Sequence, residues 1–455
     1  MPISLADILS LVLTALIGVA GMVSIFRHAE RSINLPVLFL TCLFLYLGGG
    51  GCFSLLIGAP AELSNYMSLY AIAPGDITRG CFAIIFHGVA LWFLSHVFRH
   101  PVVVSSAEIA HLVQSVIRKH YLELLLVGAA VVQAYALASG TFGFEGVLLD
   151  TTTGDLGMAS PWALLANWLS TALAPACVFV AAGRRKITLQ LLIGFLWNLG
   201  LVAIVSRRSF LSVALISTLP LFVFSFSHRL RLAVILSAAA AGIFAVIVFF
   251  SFRLSMWENE LERAKVGGIV SGGFEILKDG ETMKSRLAEN VSTRTLNICY
   301  TSLIAKNARW ATGGNGIILG YSVASVVPAF LYPQKPYFSA IGGEEGVSKR
   351  LFSLQGSDDD NNSIVTTALT DFGYLGLLIY AATFYLIIAL ALKAVRCARN
   401  TSLGLTALCL LLFMLTDIEN QFAAMFVTLR LILVLCLIGG AWISLLPQSM
   451  RREAP

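Results

Sequence analysis

Two adjacent arginines stand out in this chain because they lie where the sequence provides few other cations. Arg207 and Arg208 form the centre of 206-SRRS-209, a short polar stretch between two apolar segments. A guanidinium group matches phosphate oxygens in a two-pronged hydrogen-bonded geometry, and the low dielectric of a headgroup zone strengthens each contact. A single arginine here would favour snorkelling to lipid headgroups. The adjacent pair, flanked by two hydroxyls, instead favours anion binding.

Two further cations are candidates for the same anion. Arg430 comes one or two turns into the outer end of the last apolar segment, where snorkelling is the alternative interpretation. Lys335 belongs to residues 312–336, an apolar stretch whose glycines and prolines make it a poor spanning helix. We expect that stretch to be re-entrant or to lie on the surface. Arg207, Arg208 and Arg430 can converge on one diphosphate only if helix packing brings them together.

Carboxylates cluster before an apolar segment, in 356-GSDDDNN-362, and one more follows inside it. Asp360 and Asp371 are the candidates for a general base or for a group that positions an acceptor. The alternative is a solvated helix cap, since Asp or Asn here can cap the helix that follows. If that helix begins near residue 362, Asp371 lies about 13 Å below its mouth. An unpaired carboxylate is costly there, so an arginine partner is expected.

Several catalytic and metal-binding classes are disfavoured by what the chain lacks. All seven histidines lie outside residues 252–362, and five of them belong to edges assigned below to the cytoplasm. This disfavours a histidine base, a Ser/His/Asp triad and a His-rich metal site on the outer face. Three adjacent aspartates, residues 358–360, can hold Mg²⁺ but such runs are usually solvated. We therefore expect neither a metal nor a cofactor.

The cysteines point to packing rather than to redox chemistry or metal binding. The chain has eight, scattered without a CxxC pair, and most lie in apolar segments where a thiol acts as a small hydrophobe. Cys52, Cys81 and Cys299 are expected toward the outer face, so a disulfide among them is conceivable.

The elements that must position these residues are membrane helices. The chain is 57% hydrophobic and 12% charged, with a mean hydropathy of +0.83, far outside the range of soluble domains. A helix needs roughly 20 apolar residues to cross the hydrocarbon core. Eleven such stretches occur, near 4–26, 33–58, 80–98, 121–140, 162–182, 187–206, 209–226, 232–251, 365–392, 402–416 and 422–446.

The distribution of basic residues orients these helices. The first stretch is preceded by no basic residue and followed by Arg27 and Arg31, which favours an uncleaved first helix with its N-terminus outside. Farther along, basic residues concentrate in alternate connections, and the connections between them carry mainly Asp and Glu. The positive-inside rule therefore predicts an all-α polytopic membrane protein with about eleven transmembrane helices, N-out and C-in.

One long water-facing insertion interrupts the helices. Residues 252–362 contain 12 Lys and Arg and 12 Asp and Glu, together 24 of the chain's 56 charged residues. The predicted organisation is an N-terminal bundle over 1–251, a large extracytoplasmic loop over 252–362 and about three helices over 363–455. Since membrane helices need few residues outside the bilayer, we expect the chemistry in this loop and at the helix ends beneath it. The balanced charge argues against a nucleic-acid partner.

Three motifs resemble the Wzy-type polysaccharide polymerases, which extend O-antigen, capsule or exopolysaccharide repeat units in the bacterial inner membrane. The first, 204-IVSRRSFLSVALI-216, is similar to the family's Ser/Gly-Arg turn that opens a helix. The second, 327-VPAFLYPQKP-336, is similar to a Pro-aromatic-Pro-x-Lys-Pro stretch of the large periplasmic loop. The third, 362-NSIVTTALTDFGYLGLL-378, looks like a motif shared with O-antigen ligases that runs through an acidic residue to a Gly-x-x-Gly pair.

The resemblance implies a GT-C-like membrane fold, no metal, and substrates in which a glycan is linked to undecaprenyl diphosphate. It implies that such repeat units are polymerised at the periplasmic face of the inner membrane. The partners it suggests are the lipid bilayer, a flippase and a chain-length regulator.

On this interpretation each candidate residue has a role. The diphosphate is bound by Arg207, Arg208 and Arg430, with Lys335 as a further cation. Asp360 is favoured as the group on the acceptor hydroxyl, and Asp371 as a structural or arginine-orienting partner. Some aromatic side chains could stack on sugars, although packing of the loop onto the bundle explains most of them: Trp257, Trp310, Tyr321, Tyr332 and Tyr337.

Three other functions are compatible with the sequence. An O-antigen ligase uses the same donor with another acceptor, but its motif opens with a histidine, and that position is Asn362 here. A transporter or flippase should show ionisable residues at mid-membrane depth and repeat symmetry, and neither is clear. A non-catalytic scaffold of a polysaccharide export complex is the third.

Overall fold

The structure is a computed structural model that is almost entirely helical in the part it describes. The described residues are 3–52, 71–119, 121–138, 161–205, 207–234, 236, 297–310, 313–327, 347, 351, 363–399, 402–418 and 422–445.

The N-terminal half contains eight of the described helices. Helix α1 spans Leu5–His28, strand β1 spans Ser32–Asn34, and α2 spans Leu35–Phe44 and continues through a π-helical turn at Leu45–Gly49. Helix α3 spans Asp76–Val97, and after a 3₁₀ turn at His100–Val102 come strand β2, Val103–Ser105, and α4, Ser106–Lys119. The remaining four are α5, Tyr121–Ala138, α6, Pro161–Arg184, α7, Leu189–Val205, and α8, Arg207–Val223.

The C-terminal half contains six more. Two lie within the predicted loop, namely α9, Asn297–Asn307, and α10, Ile317–Ser325. The other four are α11, Ile364–Phe372, α12, Tyr374–Cys397, α13, Ser402–Thr416, and α14, Phe422–Leu445.

The predicted helical membrane protein is confirmed at the level of helix type and apolarity. Among the described residues five helices are long and apolar enough to cross a membrane, or six if α4 and α5, which meet at 81°, form one broken span. Four shorter apolar helices accompany them: Leu189–Ala203, Ser209–Val223, Leu403–Thr416 and Phe422–Ile438. Ten of the eleven apolar stretches contain a described helix, and the other, 232–251, lies almost entirely outside the described residues.

Helix α12 forms the centre of the bundle, where it packs against α3, α11, α13 and α14. Its Tyr380 and Phe384 are among the largest fully buried side chains. The ring of Phe384 lies 4.3 Å from that of Phe39, and the ring of Tyr380 lies 4.6 Å from that of Phe422. Because α2 and α14 thus meet α12 from two sides, α12 fixes how the N-terminal and C-terminal helices are arranged.

Small residues let α1 and α2 approach closely, as expected where two helices cross in an apolar medium. A Cβ atom on Gly48, in the π-helical turn, would lie 2.7 Å from the backbone nitrogen of Ala15. A Cβ atom on Gly18 of α1 would lie 2.8 Å from the backbone nitrogen of Leu45. Larger side chains at these two positions would separate the helices.

The apolar stretch predicted over 365–392 is two helices rather than one span. Gly373 separates α11 from α12 with φ 62° and ψ −149°, a conformation that favours glycine. A side chain on Gly376 would collide with the carbonyl oxygen of Ala368, so the second glycine lets the two helices fold closely against each other. The cap of α11 is Ser363, whose hydroxyl accepts from the Thr366 amide, rather than the Asp or Asn expected.

Part of the predicted loop is built into the bundle. Helix α9 is buried over most of its length and packs against α3 and α11, with Ser302 over Gly80. Just beyond it, the carbonyls of Arg309 and Trp310 accept from the amides of Tyr374 and Leu375, at 3.1 and 3.0 Å. Those amides belong to the first turn of α12 and have no partner within their own helix. The loop backbone therefore caps a membrane helix.

Contacts between connections respect the predicted sides of the membrane. At the end assigned to the cytoplasm, β1 pairs with β2, and ion pairs join segments from five connections: Arg231–Glu30, Arg184–Glu123 and Arg396–Glu108. At the end assigned to the outside, Lys306 pairs with Asp76 at 2.9 Å, and the Asp7 carboxylate accepts from the amides of Gly75 and Thr78. Each of these contacts joins two segments that the charge pattern assigns to one side.

A buried polar network joins α5, α6 and α7. The side-chain amide of Gln133 donates to Ser170 Oγ at 2.9 Å and to Asn198 Oδ1 at 2.8 Å. Its carbonyl accepts from the indole nitrogen of Trp197 at 2.7 Å. The side-chain amide of Gln133 therefore connects three neighbouring helices, and both its nitrogen and its oxygen are hydrogen-bonded.

All eight cysteines are free, including Cys52, Cys81 and Cys299, for which a disulfide was conceivable.

Candidate functional site

Arg207 and Arg208 are the first two residues of α8, so the structure places them at a helix N-terminus. They lie at the end of α8 opposite the Arg231–Glu30 pair, which is the end assigned to the outside. The helix dipole is positive at this end, so two cations here do not stabilise the helix. An anion bound at this position would interact favourably with the helix terminus, whereas the side chains of Arg207 and Arg208 lie outside what the structure describes.

Arg430 lies in the third turn of α14 and is half-buried. Its Nη1 donates to the carbonyl oxygen of Ser325, the last residue of α10, at 3.2 Å. Helices α14 and α8 both pack against α13. Arg430 and the arginine pair therefore belong to two helices that share one neighbour. Arg430 is therefore neither a lone charge in lipid nor a side chain that simply snorkels to headgroups, because it caps the carbonyl end of a short helix.

Asp371 is fully buried and lies in the last turn of α11. Its carboxylate accepts from the backbone amides of Ile318, at 3.2 Å, and Leu319, at 3.0 Å, and from the phenol of Tyr380, at 2.9 Å. The arginine partner that the sequence predicted is replaced, within the described residues, by these amides and this phenol. A carboxylate so engaged fits the structural alternative considered for Asp371.

Helix α10 is consequently held at both ends by charges from membrane helices. Asp371 of α11 is at its amide end, and Arg430 of α14 is at its carbonyl end. Both charges have the sign that the dipole of α10 favours. Ser325 adds a hydrogen bond of 3.2 Å from its hydroxyl to the Ala423 carbonyl of α14. At nine residues, or about 14 Å, α10 is too short to span a bilayer, in agreement with the re-entrant or surface-lying segment predicted there.

The glycine-rich segment that leads into α10 packs closely against the end of α11. The Gly314 amide donates to the Thr370 carbonyl at 2.8 Å. A side chain on Gly313 would collide with that same carbonyl, and the φ of Gly316 is +84°. These glycines begin the stretch 312–336, which the sequence suggested was unfit for a spanning helix. They bring the first amides of α10 into hydrogen-bonding distance of the Asp371 carboxylate.

Two of the predicted site residues, together with one motif position, fall outside the described part of the chain. These are the acceptor-side carboxylate Asp360, the loop cation Lys335 and the ligase-motif position Asn362. Of the other four, the structure joins Asp371 and Arg430 through α10 and places Arg207 and Arg208 at the start of α8.

His87 was not among the predicted site residues. It is fully buried in α3, and its Nδ1 lies 2.9 Å from the Leu377 carbonyl of α12. Because a carbonyl can only accept, Nδ1 carries the hydrogen and Nε2 is left as a buried acceptor without a partner among the described residues. A histidine in an apolar segment gives no sequence signal that separates this arrangement from ordinary packing.

Asp7 was also overlooked, although a local signal was present. The spacing of Ser4 and Asp7 is that of a capping box, and both of its hydrogen bonds form at the start of α1. The same carboxylate caps the start of α3 through Gly75 and Thr78. It therefore organises the N-terminal ends of two helices, α1 and α3.

Within the described residues, no three His, Cys, Asp or Glu side chains come together as a metal site would require. Comparisons with family models, with curated proteins and with solved structures give no match to this chain.

Proposed function

We propose that the chain is a membrane glycosyltransferase that polymerises glycan repeat units carried on undecaprenyl diphosphate at the outer face of the bacterial inner membrane. The observation that carries the proposal is the arginine pair. Arg207 and Arg208 begin α8 at a position where cations do not stabilise a helix and a phosphate group would. The resemblance of the motif around them to the Wzy-type polymerases supports the same assignment.

The proposed reaction needs two kinds of group. A hydroxyl oxygen of the incoming lipid-linked repeat attacks the reducing-end C1 of the growing glycan. The bond between C1 and the diphosphate oxygen breaks, and the lipid diphosphate leaves with the electron pair. The hydroxyl proton passes to a carboxylate, for which Asp360 is the proposed group. Diphosphate is already a fair leaving group, so arginines placed in advance can contribute several kcal/mol without a metal.

The contacts of α10 support two different roles among the predicted residues. Arg207 and Arg208 are proposed to bind the diphosphate, with Lys335 as a further cation from the loop. Arg430 and Asp371 are proposed to position α10, whose two ends they bind. Arg430 donates one of its five N–H groups to Ser325, so its remaining donors can still reach a substrate oxygen.

The arginine pair is tested by replacement with glutamine. In Arg207→Gln/Arg208→Gln, long polymer should disappear while single repeats persist, with a fall in rate of at least about 100-fold because charge-stabilising donors are lost. Protein levels in the membrane should stay near normal. The measurement is gel analysis of glycan made by purified protein from lipid-linked repeats.

The matched control is Arg185→Gln/Lys186→Gln, which removes an exposed adjacent basic pair from the opposite end of the bundle. It should leave polymer length unchanged. A fully active Arg207→Gln/Arg208→Gln protein would overturn the proposal. Equal activity with lysine at both positions would show that charge suffices and that two-pronged binding is wrong.

A further inference from the structure

We propose that a second surface at the outer end of the bundle, the Trp310 patch, binds an anionic carbohydrate. The patch consists of Trp310 and Arg309 after α9, Lys306 in its last turn, Arg79 in the first turn of α3, and Tyr374 at the start of α12. That this carbohydrate belongs to the glycan substrate rests on the proposed function, whereas the recognition chemistry does not.

The indole of Trp310 offers a flat apolar surface to the solvent. It is 64% exposed, although it is one of the largest apolar side chains in the chain. Its ring lies nearly parallel to that of Tyr374, with centroids 6.4 Å apart and planes at 18°, and most of the indole surface stays uncovered. The Trp310 carbonyl is bound by the Leu375 amide, and the Tyr374 hydroxyl donates to the Ala305 carbonyl at 2.9 Å. The Trp310 backbone and the Tyr374 ring are thus held in place before any ligand arrives.

Three cations belong to the patch, and two of them are connected through one carboxylate. Lys306 and Arg79 approach the same Asp76 carboxylate, at 2.9 and 3.5 Å, and Arg79 is still 59% exposed. Arg309 is exposed next to the indole in sequence, and its carbonyl is bound by the Tyr374 amide. Two of the three cations therefore share one nearly buried carboxylate, and with Arg309 the patch keeps a net positive charge.

A sugar that carries a carboxylate is complementary to this combination. The C–H groups of a pyranose face pack on a flat aromatic ring, while its carboxylate can accept from a guanidinium or an ammonium group. Because the Trp310 backbone and the Tyr374 ring are already held in place, binding has to order only the indole and the cationic side chains. A neutral sugar would use the indole alone.

The alternative occupant of an exposed tryptophan at this level is a lipid headgroup. Trp162 provides the comparison within the same chain. It is 49% exposed at the start of α6 and makes an edge contact with Tyr135, with centroids 5.6 Å apart at 73°. Trp310 differs in lying nearly parallel to its neighbouring ring rather than edge-on to it, and in belonging to a segment that carries Lys306 and Arg309.

The test measures binding of hexagalacturonate, an acidic oligosaccharide, to the full-length protein in lipid nanodiscs. The fully methyl-esterified hexamer serves as an uncharged probe of the same backbone.

Trp310→Ala should weaken hexagalacturonate binding about three- to tenfold, and Trp310→Phe should restore part of it. Arg309→Gln should weaken binding about threefold and reduce its salt dependence, without disturbing the Lys306–Asp76–Arg79 contacts. Trp162→Ala should bind as the wild type does.

Equal binding of the acid and the ester, or unchanged binding by Trp310→Ala, would overturn the proposal. A parallel series in nanodiscs with and without anionic phospholipid separates the two occupants. If Trp310→Ala abolished stabilisation by anionic lipid but left hexagalacturonate binding intact, the patch would be a lipid contact. Binding requires no catalysis, so a wild-type protein that binds the hexamer but never polymerises would contradict the proposed function and leave this proposal standing.

Discussion

At the scale of single residues, the role of Asp371 follows from what its carboxylate touches. A buried carboxylate that accepts two amides and a phenol has its charge compensated without a cation. Removal would leave the amides of Ile318 and Leu319 buried without their present partner. Loss of a helix cap costs about 1 kcal/mol, and each buried amide left unpaired about 1–3 kcal/mol.

We therefore expect Asp371→Ala to release the start of α10. The measurement is the rate at which a thiol reagent labels a cysteine placed at Ser322, which is fully buried in α10. Labelling should be at least tenfold faster in Asp371→Ala than in the parent, with Asp371→Asn between the two. If Asp371 acted instead as the base for the hydroxyl, Asp371→Asn would lose activity with no change in labelling.

Asp360 is the residue for which catalysis remains the prediction. A general base contributes roughly 100-fold or more to a rate. Asp360→Asn should reduce polymerisation by about that factor and leave donor binding intact, whereas Asp358→Asn serves as the neighbouring control and should have little effect. Near-wild-type rate and chain length in Asp360→Asn would remove this carboxylate from the mechanism and leave positioning by the arginines as the main source of catalysis.

At the scale of elements, the Gln133 network defines how α5, α6 and α7 associate. Hydrogen bonds between membrane helices contribute about 0.6 kcal/mol each on average and up to about 1.7 kcal/mol. Gln133 makes three such bonds, to Ser170, Asn198 and Trp197. The network is buried and satisfied, so it orients three helices as well as stabilising them.

Gln133→Leu should lower the free energy of unfolding by about 2 kcal/mol, because it removes all three bonds while keeping an apolar volume in place. The measurement is denaturant unfolding in detergent micelles. Val131→Leu is the control on the same helix, since Val131 is exposed on the face away from the network. An unfolding midpoint for Gln133→Leu that matches the wild type would show that the network contributes only specificity.

At the scale of the whole molecule, the orientation in the membrane is the prediction on which the proposed function depends. Described contacts join connections that the charge pattern assigned to one side, as with Arg231–Glu30 at one end and Lys306–Asp76 at the other. Such contacts support the relative sides. The absolute orientation is a prediction from the excess of basic residues at the first of these ends.

A reporter that is active only outside the cytoplasm should therefore be active when fused near Gly346 and silent when fused near Lys186 or Lys393. The two silent fusions act as controls for each other, because they lie in different connections on the side assigned to the cytoplasm. A silent reporter near Gly346 together with active ones at the other two positions would reverse the orientation and remove the basis for an outer-face glycosyltransferase.

The sequence predicted the helical and apolar character of the chain because apolar length is a local property that a bilayer imposes directly. Among the described residues, five or six helices are long and apolar enough to span, against the eleven predicted. It did not predict the break at Gly373, since an apolar run contains no signal for two helices folded against each other beyond the glycines themselves. It could not show that Asp371 and Arg430 share α10, because that depends on tertiary contacts between residues more than 50 positions apart. Arg207 and Arg208 were noticeable only because adjacent cations are unusual on that side.

The contact between loop and bundle also limits how this protein can be divided or exchanged with others. The first turn of α12 takes its caps from Arg309 and Trp310, and α9 is buried against α3. A chimera that transplants only residues 252–362 would leave the carbonyls of one protein facing the helix terminus of another. The smallest transferable unit is thus discontinuous in sequence, comprising α3, the loop, α11 and α12, and domain shuffling that respects linear boundaries should produce misassembled proteins.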